Sequence, residues 1–313
     1  MKRDLTTYLD LSLSDVEDLM QLAEAFQQKH RRGERKESTL DGRVVAMIFE
    51  KPSLRTKVAF EVAAASLGAT PVFLSSSQIM ASGNDQRGRE SIQDIGKNLE
   101  RFADILVARV YHHEIIRELA DTVSKPVINA LCDRYHPTQA LADLMAIRWH
   151  KKETRGLRVA FVGDGNNVAT SLMHMSLMAG MEFAIASPKG YAIPVEEQAS
   201  GRQLARTHNT KISFLHEPAE AVAGADVVYT DTFVSMGQEA EKETRATLFA
   251  PYQVNPTLMK AAKDDAIFMH CLPAHRGEEV TNNVIDSSQS IVFDQAECRL
   301  HVVKALLVTF LTK

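Results

Sequence analysis

Cysteine is scarce in this chain. The three present, Cys132, Cys271 and Cys298, are an odd number among 313 residues and form no CxxC pair, which argues against a disulfide framework and a structural zinc site. Reduced thiols are expected. The eleven histidines are scattered, with only His112 and His113 adjacent, so no ligand-spaced cluster points to a metal. Charge of one sign is also missing. A formal net charge of -4 on interspersed acidic and basic residues offers no field for nucleic acid or an anionic membrane. No apolar stretch approaches the roughly 20 residues of a membrane span. The polar start MKRDLTTYLD lacks the apolar core of a signal peptide, so a cytoplasmic protein is expected. No internal repeat or low-complexity segment is visible.

The composition, 45% hydrophobic and 24% charged, is that of a globular chain, and its length suits about two domains of roughly 150 residues. Ser14 and Glu17 have capping-box spacing ahead of Val16, Leu19, Met20, Ala23 and Phe26, whose three- and four-residue steps predict an amphipathic helix. Short apolar runs that read as buried strands follow at 44–49, 71–74, 104–108, 126–129, 157–162, 182–186, 211–215, 226–229 and 266–269. Most are separated by helical patterns, such as 58–67 closed by Gly68 and 171–179 closed by Gly180. This alternation predicts an α/β protein of two domains, each a parallel β-sheet flanked by helices. The domains should meet near the polar segment 151–155 and be joined by a helix at about 136–150. The last apolar stretch, 300–311, reads as a helix returning to the first domain.

Four strings stand at the carboxyl ends of these strands, where open α/β sheets bind ligands. In FEKPSLRTKVAF, the residues Ser53, Leu54, Arg55 and Thr56 lie between a strand and a helical pattern. A helix N-terminus with two hydroxyls and a guanidinium favours a phosphate, although the segment alone reads equally as a capped helix with a surface arginine. In HPTQALAD, Pro137 suits the first helical position. His136 then sits at the helix mouth, where its ring and the Gln139 amide can converge on one small ligand. A strand-end histidine is more often structural. In DTFVSMGQE, Asp231 ends a strand, and Ser235, Met236 and Gly237 follow in a loop, an arrangement that suits a zwitterion or an ordinary capped loop. In HCLP, Cys271 stands at a strand end beside His270 and Leu272, though a buried cysteine is usually a small hydrophobe. A fifth string, GDGNN at 163–167, imitates a dinucleotide fingerprint but has Val168 where the third glycine belongs, and no acidic residue clearly takes the ribose position.

These strings resemble the signatures of the aspartate/ornithine carbamoyltransferase family over nearly the whole chain. Asp-x-x-x-Ser-Met-Gly is similar to its ornithine branch rather than to the aspartate branch with its basic Pro-Leu-Pro loop. The resemblance implies transfer of a carbamoyl group from carbamoyl phosphate to the side-chain amine of L-ornithine, giving L-citrulline and phosphate, without a cofactor or metal. It places the chain in arginine metabolism, with synthesis and catabolism sharing this chemistry. It further implies a homotrimer with shared active sites and the domain boundaries 1–147 for carbamoyl phosphate and 148–299 for ornithine, a C-terminal helix at about 300–313 packing onto the first.

Residue by residue, the resemblance gives Ser53, Leu54, Arg55 and Thr56 to carbamoyl phosphate. Leu54 departs from the family's threonine and Lys57 from its last arginine. Arg109 is similar to an arginine that contacts phosphate and carbamoyl oxygen, His136 to the donor to that oxygen, and Gln139 to the residue that holds the carbamoyl amide. Arg299 resembles a further contact, although Cys298 replaces the usual neighbouring asparagine. Asn167, Asp231, Ser235 and Met236 would bind ornithine. Cys271 would lie near its side-chain amine, and the Leu272 carbonyl would accept from the carbamoyl NH2. Arg55, Arg109, His136, Asp231 and Cys271 are the implied catalytic set. Gln78, in a segment (75–89) that looks about five residues longer than the family's, a length surface loops tolerate, is the match for a contact to the neighbouring subunit; Gln86 or Arg89 could replace it. Other readings are a carbamoyltransferase for putrescine or an N-acylated ornithine, and a non-catalytic relative acting as a binding or regulatory subunit.

Overall fold

The computed structural model describes residues 3–75, 90–234 and 239–312. They form two compact units, Met1–Met145 with Glu297–Lys313, and Ala146–Ala296. The first contains α1 (Leu13–Arg31), β1 (Val44–Phe49), α2 (Arg55–Ser66), β2 (Thr70–Ser75), α3 (Ile92–Leu99), β3 (Ile105–Arg109), α4 (His113–Thr122) and β4 (Val127–Leu131), and the chain leaves it within α5 (Pro137–Lys151). Its strands are all parallel, in the order β2-β1-β3-β4. In β1 every residue but Val44 is buried. VVAMIF is therefore a continuous apolar run rather than an alternating one, as a sheet covered on both faces requires. Ile48, Leu106, Ala108, Ile116 and Leu119 share one buried cluster between sheet and helices. Gly68, at φ 89, ends α2 in a conformation other residues adopt with strain.

The second unit contains β5 (Arg158–Val162), α6 (Asn167–Met178), β6 (Glu182–Ala186), α7 (Val195–Thr207), β7 (Ile212–Leu215), α8 (Pro218–Val222), β8 (Val227–Thr230), α9 (Lys242–Phe249), α10 (Pro256–Met259), β9 (Ile267–His270) and α11 (Asn282–Ile285); α12 (Val292–Thr312) carries the chain back to the first unit. Its five parallel strands run β7-β6-β5-β8-β9. Its core gathers Val162, Ala184, Val228, Phe249 and Phe268. In both sheets the strand order reverses once, between β1 and β3 and between β5 and β8. At such switch points the loops leaving neighbouring strands diverge and open a crevice. No helix among the described residues is long and apolar enough to cross a membrane.

The nine apolar runs are the nine strands found among the described residues, with ends moved by no more than two positions. Four helix starts differ from expectation, those of α2 at Arg55 and α6 at Asn167 lying three and four residues ahead of the apolar patterns. The cap of α1 is Ser12, not Ser14: Ser12 and Asp15 form the reciprocal capping box, with the Ser12 N–H donating to Asp15 Oδ2 at 2.9 Å. Only this register puts buried residues, Leu11 and Val16, at the two positions of the hydrophobic staple. Helix α12 begins at Val292 rather than near 300. Its first turns bury polar residues, Gln295 and Arg299, so its inner face does not read as an apolar stripe.

Candidate active site

The first cluster lies at the switch point of the first unit. Helix α2 has Leu54 as its N-cap, without a side-chain cap bond, and no acidic residue in its first turn. Nothing in its own composition offsets the positive end of the helix dipole. Arg55 opens the helix, with Ser53 partly buried just before it. The buried hydroxyl of Thr56 accepts from Arg109 Nη1 at 3.5 Å and from Arg299 Nη2. Two guanidinium groups, one ending β3 and one from α12, are thereby brought to this helix start. Such a concentration of positive charge and N–H groups fits a phosphate.

His136 sits at the mouth of α5, its carbonyl accepting from the N–H groups of Gln139 and Ala140 at 3.1 and 3.2 Å. Burial, reinforced by Arg299 and Arg109, holds its imidazole pKa well below the usual range. The ring is neutral at pH 7 and carries one N–H, so it can polarise a carbonyl oxygen without adding a full charge. Gln139 is buried, and its Nε2 donates to Asp143 Oδ1 at 2.8 Å. Lys57, at the departure from the family pattern, places its ammonium 3.7 Å from the Phe73 ring centre and 3.9 Å from Glu61. A further buried cation, Lys51, escaped the sequence reading. It lies 4.6 Å from the Tyr111 ring centre, and burial with the nearby Arg109 lowers its pKa. Its place in FEKPSLRT, at a strand end, was the available signal.

The second cluster lies at the switch point of the second unit. Asp231, just past β8, is buried and accepts from the Cys271 thiol at 3.1 Å and from Asn166 Nδ2 at 2.8 Å. Asn166 also caps α6, its Oδ1 taking the N–H groups of Val168 and Ala169 at 3.0 Å. Asn167 is therefore the first helical residue, partly buried beside it. The GDGNN turn presses against the chain opposite: a Cβ on Gly165 would lie 2.1 Å from the Ile193 backbone nitrogen. Glycine is required there for that close approach, not for a pyrophosphate.

His270, fully buried, takes the Leu272 N–H on Nδ1 at 2.8 Å and lies 3.2 Å from Glu279 Oε1 through Nε2. Since Nδ1 accepts, the proton must be on Nε2. Leu272 adopts φ 57. Asp231, His270 and Cys271 offer three possible metal-ligand atoms within 4.8 Å of one another, a grouping the scattered histidines and cysteines did not suggest. Each is already hydrogen-bonded within the protein. Cys132 is remote in character, a buried thiol pushed up by desolvation.

The structure thus brings Thr56, Arg109 and Arg299 together, surrounds His136 with charge, and pairs Asp231 with Cys271. Gln78, Ser235 and Met236 lie outside the described residues. Sequence reasoning missed Asn166, Glu279 and Arg245. Arg245, on α9, is buried and donates to Asp164 Oδ2 at 2.7 Å, to the Phe233 carbonyl at 2.9 Å and to Glu241 Oε2 at 2.9 Å. Asp164 belongs to the GDGNN turn and Phe233 to the loop after β8. Nothing in the local pattern of KETRATLF marks this arginine, because its partners are distant in sequence.

Two family models match the chain. One, described as the carbamoyl-P binding domain of aspartate/ornithine carbamoyltransferase, covers residues 3–149, and the other, the Asp/Orn binding domain, covers 155–310. The chain is 46% identical to an ornithine carbamoyltransferase of Anoxybacillus flavithermus over 310 residues, 99% of this chain and 96% of the relative. It is also 46% identical to an anabolic ornithine carbamoyltransferase of Pyrococcus furiosus over 306 residues, 97% and 95% of the two chains. Among solved structures, that of ornithine carbamoyltransferase from Pyrococcus furiosus superposes with a TM-score of 0.92 at 44% identity, covering 97% of this chain and 96% of the other. Ornithine transcarbamoylase from Giardia lamblia does so with a TM-score of 0.88 at 30% identity, covering 100% and 99%.

Proposed function

Because the chain belongs to the aspartate/ornithine carbamoyltransferase family, we propose that the cluster around Thr56 holds carbamoyl phosphate and the cluster around Asp231 holds ornithine. The protein is an enzyme that moves the carbamoyl group of carbamoyl phosphate to the side-chain amine of L-ornithine, producing L-citrulline and phosphate. The observation that carries the ornithine assignment is the Cys271–Asp231 contact of 3.1 Å, with Asn166 holding the second carboxylate oxygen. It sets an anion and a thiol side by side at two strand ends, where a cationic amine can be bound and oriented.

An unperturbed alkyl amine has a pKa near about 10.4, so its nucleophilic form is minor at pH 7. In this reading Asp231 and Cys271 orient the amine and handle its proton as it attacks the carbamoyl carbon. A tetrahedral intermediate forms and collapses with loss of phosphate, which can take the proton. His136, neutral and donating, and Arg109 stabilise the oxygen as it gains charge, while Arg55, Thr56 and Arg299 hold the phosphate, with Ser53 and the Leu54 N–H beside it. Such preorganised donors usually make the largest contribution to catalysis of this kind. Asn167, Ser235 and Met236 take the α-amino and α-carboxylate groups, and no cofactor enters any step. The unit of residues 1–145 with 297–313, and the unit of residues 146–296, are the corresponding substrate domains.

We also assign the enzyme to the cytoplasm and to a homotrimer with shared sites, Gln78 reaching the neighbour. Support for assembly comes from α2: Leu54, Val58 and Val62 are 72%, 45% and 46% exposed, and their four-residue spacing lines them along one face of the helix that also carries Arg55 and Thr56. A citrulline assay with ornithine, putrescine, N-acetylornithine and aspartate tests the activity. Ornithine should be used far better than putrescine, because an amine lacking the α groups leaves the polar groups assigned to them unmet. Equal efficiency with putrescine would overturn the ornithine assignment.

A further inference from the structure

Asp143 belongs to the HPTQALAD string, yet the chemistry above gives it no part. It has no exposed surface and stands four residues after Gln139 on α5, the spacing that stacks two side chains on one helix face. The Gln139 Nε2 donates to its Oδ1 at 2.8 Å. Gln139 Oε1, equally buried, has no hydrogen-bond partner among the described residues. A buried carbonyl left unmatched is costly, and one beside a ligand cluster is waiting for a donor.

A carboxylate can only accept. Facing one, the glutamine amide must present its NH2, and its oxygen is then turned the other way. We propose that Asp143 is a positioning residue that locks the Gln139 amide with Oε1 toward the ligand, so that the site selects acyl phosphates carrying an N–H donor over those carrying an oxygen acceptor. The inference rests on the carbamoyl phosphate reading and deepens it. A carbamoyl NH2 meets the oxygen and is bound. A carboxylate in the same position meets a fixed lone pair and is repelled, because the amide cannot turn without setting its oxygen against Asp143.

Two stable probes separate the cases: phosphonoacetamide, which ends in a donor NH2, and phosphonoacetate, which ends in an acceptor. Their dissociation constants are measured by calorimetry on the full chain, with inorganic phosphate as the control for the anion cradle. The wild-type protein should favour phosphonoacetamide. In Asp143→Asn the new side chain both donates and accepts, so the amide is free to turn, and the preference should fall at least fivefold through a gain in phosphonoacetate binding. Damage to the fold does not produce such a gain. Loss of the Asp143 charge also favours the more anionic probe, so the substitution is repeated in a Gln139→Met background, where only the charge effect remains. An equal change in both backgrounds, or an unchanged preference, overturns the proposal. Asp143→Ser, which also donates and accepts, repeats the test should the asparagine variant fold poorly. A wild-type protein that binds none of the three ligands overturns the carbamoyl phosphate reading and this assignment with it. Binding of all three with no coupling between positions 139 and 143 overturns this assignment alone.

Discussion

His174 has no exposed surface, and burial between α6 and its neighbours lowers its imidazole pKa to about 3. Glu197 of α7 lies 3.5 Å from it. An unfolded chain binds the proton near pH 6.5, whereas the folded chain resists it, so this histidine's contribution to stability is present above about pH 6.5 and is lost as the pH falls toward 3. The slope is about 1.4 kcal/mol per pH unit for one proton, or about 2 kcal/mol between pH 7 and 5. His136 shifts in the same direction. Urea midpoints at the two pH values should therefore drop steeply for the wild type and less for His174→Gln; identical slopes would show that another group controls the acid limb. At this scale the sequence placed Thr56, His136, Asp231 and Cys271 at strand ends, and the structure has each just beyond a strand or at the start of the helix that follows. The sequence was silent on Asn166, whose neighbour Asn167 drew attention, because only the folded turn shows which asparagine faces Asp231.

The elements that carry the cluster around Asp231 are tied together by one side chain. Arg245 joins the GDGNN turn, through Asp164, to the loop after β8, through the Phe233 carbonyl. The Tyr191 ring centre lies 4.6 Å from its guanidinium carbon. Burial pushes the Asp164 carboxyl up, and Arg245 opposes the shift. Removing the arginine alone leaves that carboxylate buried without its cation, at a cost of about 3 kcal/mol. Arg245→Gln should lower stability and raise the ornithine KM about tenfold, equivalent to about 1.4 kcal/mol, while the carbamoyl phosphate KM holds. Adding Asp164→Asn should restore stability without restoring the ornithine KM, because the bond to the Phe233 carbonyl is still missing. Recovery of both together would reduce Arg245 to a structural role.

Each unit of the molecule has its own sheet and its own buried core, so neither needs a second copy to bury its apolar residues. The exposed line of Leu54, Val58 and Val62 has no such internal use. Apolar lines of this kind on a helix surface commonly mark an interface. Sedimentation should give about three times the mass of one chain for the wild type, and Val58→Asp with Val62→Asp should release monomers that keep their helical content. A double variant that stays fully assembled would place the interface elsewhere.

The sequence by itself determined the order of elements, since a strand covered on both faces must be an unbroken apolar run and the helices between must show a period near 3.6. It also singled out the candidate site residues, because short motifs at strand ends lie at the positions a parallel sheet leaves open. Tertiary structure alone decided what supports them. The inner face of α12 is polar where Gln295 and Arg299 reach Tyr229 and Thr56, the start of α1 depends on which serine has a buried staple, and Arg245 finds Asp164 from 81 residues away. Such partners are paired by distance in space, and a period read along the chain carries no record of it.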